Sequence, residues 1–351
     1  MNPLPYAARW LIALILTAAC ALSPVLAEGQ PGASGAQRLS LGVFAYIGIE
    51  QTRKQYQPIV DDLNQRLAPT EIQLEVLPQS EIDRRVRDGT LDLVTTNPTH
   101  FLNARAQQPL SGVIATLVEL DDGEPLYRLG GVILAKAART DIVDLEDVRG
   151  KRVGTPGRSN LGGFRTQAYE LLLAGIRLPE DVRGIHEMKT HQEVVRAVLD
   201  GRVDVGFIRS GVLEGMVRDG EIRLQDLRVI HPMHHPGFPL IASTVLYPEW
   251  PVFALPHVDE SLVRKVAAAL FALEPNDPAA REAGIYGYTI PADYLAIEDL
   301  TRKLRLPPYD QAPSLYLPRR VAALGLPPAG HHGRHACHCH SRDSPPAGAG
   351  A

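Results

Sequence analysis

Short apolar runs alternate with amphipathic segments along most of the chain. The run 39–45 alternates apolar and small residues as a buried strand does, and 52–67 carries its apolar residues at helical spacing. Further strands are predicted at 72–77, 91–95, 112–120, 129–135, 151–155, 203–208, 227–230 and 239–246, with helices between most of them. Strands that alternate with helices favour an α/β fold with mostly parallel central sheets, covered on both faces.

The chain is long enough for two such units. Its 351 residues are 45% hydrophobic, which exceeds the needs of one typical domain. Breaker residues near Pro125 and Pro236 predict two crossings between the units. We therefore expect 39–125 together with 237–310 to form lobe 1 and 126–236 to form lobe 2, with a ligand cleft between them.

The two ends of the chain depart from this pattern. Residues 1–27 resemble a cleaved export signal peptide, because Arg9 precedes an apolar run and a small-x-small site closes it. An uncleaved membrane tether and a lipoprotein attached through Cys20 are the alternatives. Residues 28–38 read as a linker and 311–351 as a disordered tail rich in His, Pro and Gly. We expect a periplasmic protein.

Composition narrows the classes of function. The net charge of −4 and the aromatic content of 6% argue against a nucleic-acid partner. The three cysteines lie outside 39–310, so this part must be stabilised by core burial without disulfides. The sequence has no Gly-x-Ser-x-Gly, Gly-x-x-x-x-Gly-Lys or His-Glu-x-x-His motif. We therefore predict neither an enzyme nor a cofactor.

The tail holds a dense group of metal-binding side chains. They are His331, His332, His335, Cys337 and Cys339. Such residues can bind Zn, Ni or Cu, but their spacing matches no folded zinc module because Cys-x-x-Cys is absent. We predict no metal site, and metal binding by this group is the alternative.

Two small-residue turns, each between a strand and a helix, carry the candidate chemistry. The first spans 158–163, and the second is Arg209-Ser210-Gly211. Backbone N–H groups at a helix N-terminus attract anions, and glycine lets a ligand approach the backbone closely. The guanidinium of Arg209 suits oxyanions and carboxylates. An ordinary helix cap for the first turn and a surface ion pair with Glu214 for Arg209 are the alternatives.

Further candidates lie at other strand and helix ends. Thr96 and Asn97 follow the strand 91–95, Tyr46 follows the first strand, and His191 starts a helix whose N-terminus disfavours protonation of the ring. Packing for Tyr46 and a plain cap for His191 are the alternatives. The predicted ligand-binding set is Tyr46, Thr96, Asn97, Ser159, Asn160, Gly162, Gly163, His191, Arg209 and Ser210.

Several stretches resemble the phosphate/phosphite/phosphonate-binding family of periplasmic solute receptors, which has the type 2 periplasmic-binding fold. The matching stretches are 42–46, 56–63, 89–98, 145–153 and 198–205, and the resemblance runs from Leu39 to Tyr309. It implies a two-lobed Venus-flytrap receptor. Phosphonate receptors carry Ser-Thr-Ser-Gly where this chain has Ser159-Asn160-Leu161-Gly162, and His191 falls where the family places a ligand histidine.

The chain is still more similar to the sensor ectodomains of some bacterial histidine kinases, including those resembling tetrathionate sensors. The stretches are 97–101, 209–214, 235–239, 246–251 and 304–309. The resemblance implies a small oxyanion ligand, either phosphate- or phosphonate-like or a sulfur oxyanion such as tetrathionate or thiosulfate. We expect a sensory input domain whose kinase part is absent, with 318–351 an out-of-frame or truncated remnant. The alternative is the substrate-binding component of an ABC transporter, with a membrane permease as its partner.

Overall fold

Two α/β sheets organise residues 37–110 and 112–311, which are the residues that this computed structural model describes. The predicted signal peptide, most of the linker, nearly all of the tail and the His/Cys group lie outside the described residues. The strands are β1 (Arg38–Phe44), β2 (Glu71–Leu77), β3 (Leu93–Thr95), β4 (Gly112–Asp121), β5 (Glu124–Leu126), β6 (Arg128–Leu129), β7 (Gly131–Lys136), β8 (Arg152–Thr155), β9 (Gly184–Glu187), β10 (Val205–Arg209), β11 (Leu227–Ile230), β12 (Tyr247–Pro248), β13 (Pro251–Ala254) and β14 (Ile285–Thr289). The helices are α1 (Ile49–Leu67), α2 (Gln79–Arg87), α3 (Pro98–Gln107), α4 (Thr166–Leu173), α5 (His191–Leu199), α6 (Val212–Arg218), α7 (Glu260–Phe271), α8 (Pro278–Ala283) and α9 (Leu295–Lys303).

Lobe 1 is built on the first sheet. Its strand order is β14-β4-β13-β3-β1-β2, with β5 paired to β4. The helix α1 packs on this sheet because Tyr56, Ile59, Val60 and Leu63 all fall on its buried face, as the helical spacing predicts. These side chains share a core with β1 and β2.

Lobe 2 is built on the second sheet, with strand order β11-β7-β10-β8-β9. The strand β9 was not expected from the sequence, because its burial is only partial and it lacks a clear apolar alternation. The helix α5 buries Val194, Val195, Ala197 and Val198 against this sheet. Its first turn is fixed by the side chain of Thr190, which accepts a hydrogen bond from the N–H of Glu193 at 3.1 Å.

Both sheets mix strand directions. The pairs β1–β2, β1–β3, β8–β9 and β8–β10 are parallel, as strand–helix alternation predicts. The pairs β13–β3, β13–β4, β14–β4, β4–β5, β10–β7 and β11–β7 are antiparallel, so the expectation of mostly parallel sheets was too strong. Three of these antiparallel strands lie next to the crossings. The strand β4 comes before the first crossing, β7 comes after it, and β13 follows the second.

The two crossing segments pair with each other. The strand β6 leads into lobe 2, β12 leads back to lobe 1, and the two form an antiparallel pair in which Leu129 lies opposite Tyr247. The return crossing therefore lies at β12 and not near Pro236. Residues 239–246, predicted as a strand, form only an isolated bridge between Met233 and Ala242 within the described chain.

This segment stays with lobe 2 because its polar groups are bonded there. The hydroxyl of Ser243 donates to the carbonyl of Ile230 at 2.7 Å and accepts from the N–H of Ile133 at 3.0 Å. The hydroxyl of Thr244 accepts from the N–H of Gly131 at 2.9 Å. Both hydroxyls are fully buried, so these bonds hold the segment to β7.

Candidate functional site

Three strand ends of lobe 2 meet along one edge of its sheet. The strands β10, β8 and β9 are adjacent and parallel, and they end at Arg209, Thr155 and Glu187. The carboxyl ends of neighbouring parallel strands deliver their turns to the same edge, where open α/β sheets bind ligands. The turn 156–163, the residues 189–192 and the side chain of Arg209 are brought together in this way.

Lobe 1 offers a matching edge. The parallel strands β1 and β3 end at Phe44 and Thr95, while β13 starts beside them in the opposite direction. The residues just beyond these ends are Tyr46, Asn97 and Trp250, and all three line one cavity.

That cavity of about 560 Å³ lies between the two edges. Its lining contains seven of the predicted ligand-binding residues, namely Tyr46, Asn97, Ser159, Asn160, Gly162, His191 and Arg209. It also contains Phe44, Ile47, Gly48, Leu129, Pro156, Gly157, Leu161, Lys189, Thr190, Gln192 and Trp250. No aspartate or glutamate belongs to this lining among the described residues. Within residues 37–110 and 112–311, Lys189 forms no ion pair.

The first predicted turn is a π-helical turn (Leu161–Arg165) that leads directly into α4. The side chain of Asn160 caps it by accepting a hydrogen bond from the N–H of Gly163 at 2.8 Å. The amide of Gly163 is therefore already used inside the protein. The amides of Leu161 and Gly162 have no acceptor within 37–110 and 112–311, so they are the donors that this turn can offer to a ligand.

A side chain added at Gly162 or Gly163 would not fit this turn. A Cβ atom at Gly162 would lie 2.9 Å from Cγ of Arg209. One at Gly163 would lie 2.5 Å from Cγ of Pro156 and 2.7 Å from Cε1 of His191. The two glycines thus let the turn pack directly against Arg209 on one side and against Pro156 and His191 on the other.

The ring of His191 is held in one protonation state and one tautomer. Burial, with a contribution from the charge of Arg209, lowers the pKa of His191 to about 3, so the ring is neutral near pH 7. The backbone N–H of Arg209 donates to Nδ1 of His191 at 3.2 Å. Because Nδ1 is the acceptor, the single ring proton lies on Nε2, which has no partner in the described part of the chain. His191 can therefore donate one hydrogen bond to a ligand.

The guanidinium of Arg209 is engaged by two carboxylates. Its Nη2 donates to Oε1 of Glu249 at 2.7 Å, and its Nη1 lies 3.8 Å from Oε1 of Glu119. Burial raises the pKa of Glu249 to about 8, although the charge of Arg209 opposes this shift. Burial alone would lower the pKa of Arg209, but the two carboxylates outweigh it and raise this pKa. The partner expected as an alternative, Glu214, instead accepts a hydrogen bond from the N–H of Ile241.

Aromatic rings form the lobe 1 wall of the cavity. The ring of Trp250 stacks on Phe44 at a centroid distance of 5.9 Å and meets Tyr46 edge-on at 4.9 Å. The hydroxyl of Tyr46 donates to Oε1 of Gln55 at 2.8 Å, so it is already used. Ile47 is 47% exposed and extends this apolar wall toward solvent. Beside it, Asn97 uses its Oδ1 to accept from Thr99 and from the N–H of His100.

Three predicted residues lie outside the cavity lining. The hydroxyl of Thr96 is hydrogen-bonded to Nδ1 of His100 at 2.8 Å and is fully buried. Gly163 packs behind the turn. The hydroxyl of Ser210 accepts from the N–H of Gly130 at 3.0 Å, which ties β10 to the first crossing. These residues support the site without facing it.

Sequence reasoning missed the aromatic wall and the partners of Arg209. Glu249 and Trp250 are adjacent in the stretch 246–251, which carries part of the resemblance to sensor ectodomains, so this stretch was their only signal. Glu119 lies in a predicted strand and carried no signal of its own.

Two further observations bear on the kind of site. Residues 37–110 and 112–311 contain no group of three or more His, Cys, Asp or Glu side chains that could hold a metal ion. In the same residues, none of the helices combines the length and apolar character needed to cross a bilayer.

The chain matches known proteins over most of its length. A family model described as "ABC transporter, phosphonate, periplasmic substrate-binding protein" matches residues 41–294. The tetrathionate sensor histidine kinase TtrS of Salmonella typhimurium is 28% identical over 269 residues, which is 77% of this chain. The chain spans only 44% of that relative's length.

Solved structures share the fold. The binding protein of an ABC phosphonate transporter from Pseudomonas aeruginosa has a TM-score of 0.58 and 14% identity, covering 77% of this chain and 87% of its own. PhnD1 from Prochlorococcus marinus, solved with methylphosphonate, has a TM-score of 0.60 and 16% identity, covering 77% of this chain and 98% of its own. These likenesses confirm the predicted two-lobed type 2 periplasmic-binding fold.

The family is one of substrate-binding proteins, which agrees with the prediction that the chain is not an enzyme. The match to the family model spans both lobes and the residues that line the cavity. The chain belongs to the phosphonate-binding family of periplasmic substrate-binding proteins.

Proposed function

We propose that this protein is a periplasmic receptor that holds a small oxyanion between its lobes. The observation that carries the proposal is the lining of the cavity. It combines the unpaired amides of Leu161 and Gly162, the Nε2–H of His191 and the ammonium group of Lys189, with no carboxylate among the described lining residues. Such a set of donors suits an anion and rejects a cation.

The ligand would bind with its charged head on lobe 2. There the turn 158–163 and His191 offer neutral donors from two adjacent strand ends, and Ser159 adds a hydroxyl. Lobe 1 would contact the rest of the ligand through Trp250 and through the amide nitrogen of Asn97. Because the anion touches both lobes only when they are closed, binding would shift the population toward the closed state.

The same turn supports a proposal for the identity of the anion. Leu161 is buried in an apolar cluster, and it stands where phosphonate receptors carry a hydroxyl side chain. Fewer hydroxyl donors and an aromatic wall suit an anion with a polarisable body. We therefore favour a sulfur oxyanion such as tetrathionate or thiosulfate over phosphate or a simple phosphonate.

The similarity to a sensor kinase supports a sensory role. We propose that closure around the anion is the signal and that a membrane-bound histidine kinase is its receiver. The second candidate is the substrate-binding component of an ABC transporter, which the description of the family model favours. In that role a membrane permease would take the ligand from the closed receptor.

A thermal-shift and calorimetry screen tests the oxyanion. The purified protein is titrated with phosphate, methylphosphonate, sulfate, thiosulfate and tetrathionate. A ligand present at 100 times its Kd should stabilise the fold by about 2.7 kcal/mol and raise the Tm. If none of the five anions raises the Tm, the proposal is wrong.

A substitution at His191 tests the site itself. His191→Ala should weaken the tightest anion by about tenfold or more, since a hydrogen bond to a charged group is worth about 1.5–3 kcal/mol. His191→Gln, which restores an N–H donor, should recover part of the loss. The matched control is His186→Ala, because His186 is exposed in lobe 2 and lies outside the cavity lining.

A further inference from the structure

A second arginine, Arg165, joins the two lobes, and its charge has no carboxylate partner in the described part of the chain. Arg165 ends the π-helical turn of lobe 2, one turn after the donors Leu161 and Gly162. Its Nη1 donates to the hydroxyl of Thr99, near the start of α3 in lobe 1. This hydrogen bond therefore joins the two lobes.

The guanidinium of Arg165 is largely buried, and no carboxylate of the described residues compensates its charge. Its Nε is inaccessible to solvent and has no acceptor in the described part of the chain. No carboxylate within 37–110 or 112–311 forms an ion pair with it, and burial lowers the pKa of Arg165 to about 10. A buried cation that lacks a counter-charge is costly, and the cost persists only where something else offsets it.

Arg209 cannot play this electrostatic role, although it lies on the cavity. Its guanidinium lies against the carboxyl groups of both Glu119 and Glu249, so the charge of Arg209 already has partners within the protein. The uncompensated buried positive charge at the contact of the lobes thus belongs to Arg165.

Arg165 is linked to the cavity through two hydrogen bonds. The hydroxyl of Thr99, which accepts from Arg165, donates to Oδ1 of Asn97 at 2.6 Å. Asn97 lines the cavity. A negative charge in the cavity would therefore be linked to Arg165 through this chain of hydrogen bonds.

We propose that Arg165 is the positioning residue that couples anion binding to lobe closure. Closure seats its guanidinium against Thr99 and removes it from water, and the bound anion supplies the missing negative charge. Without an anion, burial of this cation opposes closure. The inference rests on the proposed oxyanion function and gives that function a mechanism for signalling.

The test uses Arg165→Met, Arg165→Lys and a control of equal charge change. Arg223→Met is the control, because Arg223 is a lobe 2 residue whose side chain is 71% exposed. Affinities for methylphosphonate and tetrathionate are measured by calorimetry, and the radius of gyration is measured by X-ray scattering with and without each probe. The Tm of each variant shows that it is folded.

For Arg165→Met we expect the affinity of the bound probe to fall at least about fivefold, the lower end of usual coupling between sites. Its radius of gyration without anion should shrink toward that of the anion-bound wild type, because the cation no longer opposes closure. Arg165→Lys should restore most of the affinity and of the anion-dependent compaction. Arg223→Met should match the wild type.

A residue that only braces the structure would give another result. Arg165→Met would then lower the Tm, keep the wild-type radius without anion, and not be rescued by lysine, and this pattern overturns the inference. Wild-type affinity in Arg165→Met also overturns it. If neither probe binds the wild type, the oxyanion proposal itself has failed, which is a distinct outcome.

Discussion

The lobe 2 face of the cleft is polar and tied together by internal hydrogen bonds, whereas the lobe 1 face is mainly aromatic. Lobe 2 presents the turn 158–163, in which Asn160 accepts from the N–H of Gly163, and His191, whose Nδ1 accepts from the N–H of Arg209. Lobe 1 presents Phe44, Trp250 and the half-exposed Ile47, with Asn97 as its polar exception.

This difference separates two tasks. A face with fixed neutral donors recognises the oxygen atoms of an anion at little cost in reorganisation. An aromatic face recognises the body of the ligand through contact area, which depends less on geometry. The comparison therefore predicts that changes on lobe 2 alter stability and anion recognition, while changes on lobe 1 alter the choice between anions.

The largest effect should follow removal of Arg209. Arg209→Met leaves the fully buried carboxyl of Glu249 without its cation, and breaking such a buried pair costs about 3–5 kcal/mol of unfolding free energy. Urea denaturation at pH 9, above the raised pKa of Glu249, measures this loss.

The double variant Arg209→Met/Glu249→Gln is the control for this effect. It should be more stable than Arg209→Met alone, because the unpaired carboxyl is gone. Equal losses in the single and double variants would mean that Arg209 is not held by Glu249. Its charge would then be available to contact the ligand directly.

The pH dependence of stability should show a smaller effect, with two opposing parts. The pKa of Glu249 is raised from 4.5 to about 8, so the native state holds a proton that the unfolded state loses, and stability falls as pH rises through this window. The pKa of His191 is lowered from 6.5 to about 3, so stability falls as pH drops below 6.5. The two contributions oppose each other below pH 6.5, and only Glu249 acts from 6.5 to 8.

We therefore expect the unfolding free energy to fall between pH 6.5 and 8, at up to about 1.4 kcal/mol per pH unit. Glu249→Gln should abolish this fall and leave the His191 part, which raises stability as pH increases toward 6.5. Urea titrations at several pH values give both curves. Parallel curves for the wild type and Glu249→Gln would show that Glu249 does not titrate in this range.

The lobe 2 face could be predicted from sequence because its donors are local. The small-residue turn 158–163 and the strand that ends at Arg209 are both visible in short windows, and parallel strands bring their ends to one edge. The neutral state of His191 was expected from its place at the start of α5, but in the structure burial and the charge of Arg209 cause it. The two-lobed fold followed from strand–helix alternation together with the family resemblance.

The partners of these residues could not be predicted, because they are distant along the chain. Glu249 lies between β12 and β13, far along the chain from Arg209, and the pairing of β12 with β6 at the crossings was not expected from the sequence. The hydroxyls of Thr96 and Ser210 are turned away by His100 and Gly130, which no local pattern reveals. A low aromatic content likewise gave no hint that Phe44, Tyr46 and Trp250 gather at one wall.

The smallest predicted effect lies on lobe 1 and concerns selectivity. Ile47→Ser removes apolar contact area at the mouth of the cavity, and partial loss of such a contact is worth about 1 kcal/mol. The affinity for propylphosphonate should therefore fall about fivefold, while that for inorganic phosphate or sulfate should stay within twofold, because only the alkyl body reaches this wall. Calorimetry with each anion measures the ratio. The matched control is Ile290→Ser, since Ile290 is 70% exposed and lies outside the cavity lining. An equal loss for all anions in Ile47→Ser would mean that lobe 1 contacts the anionic head itself, and the division of tasks between the lobes would no longer hold.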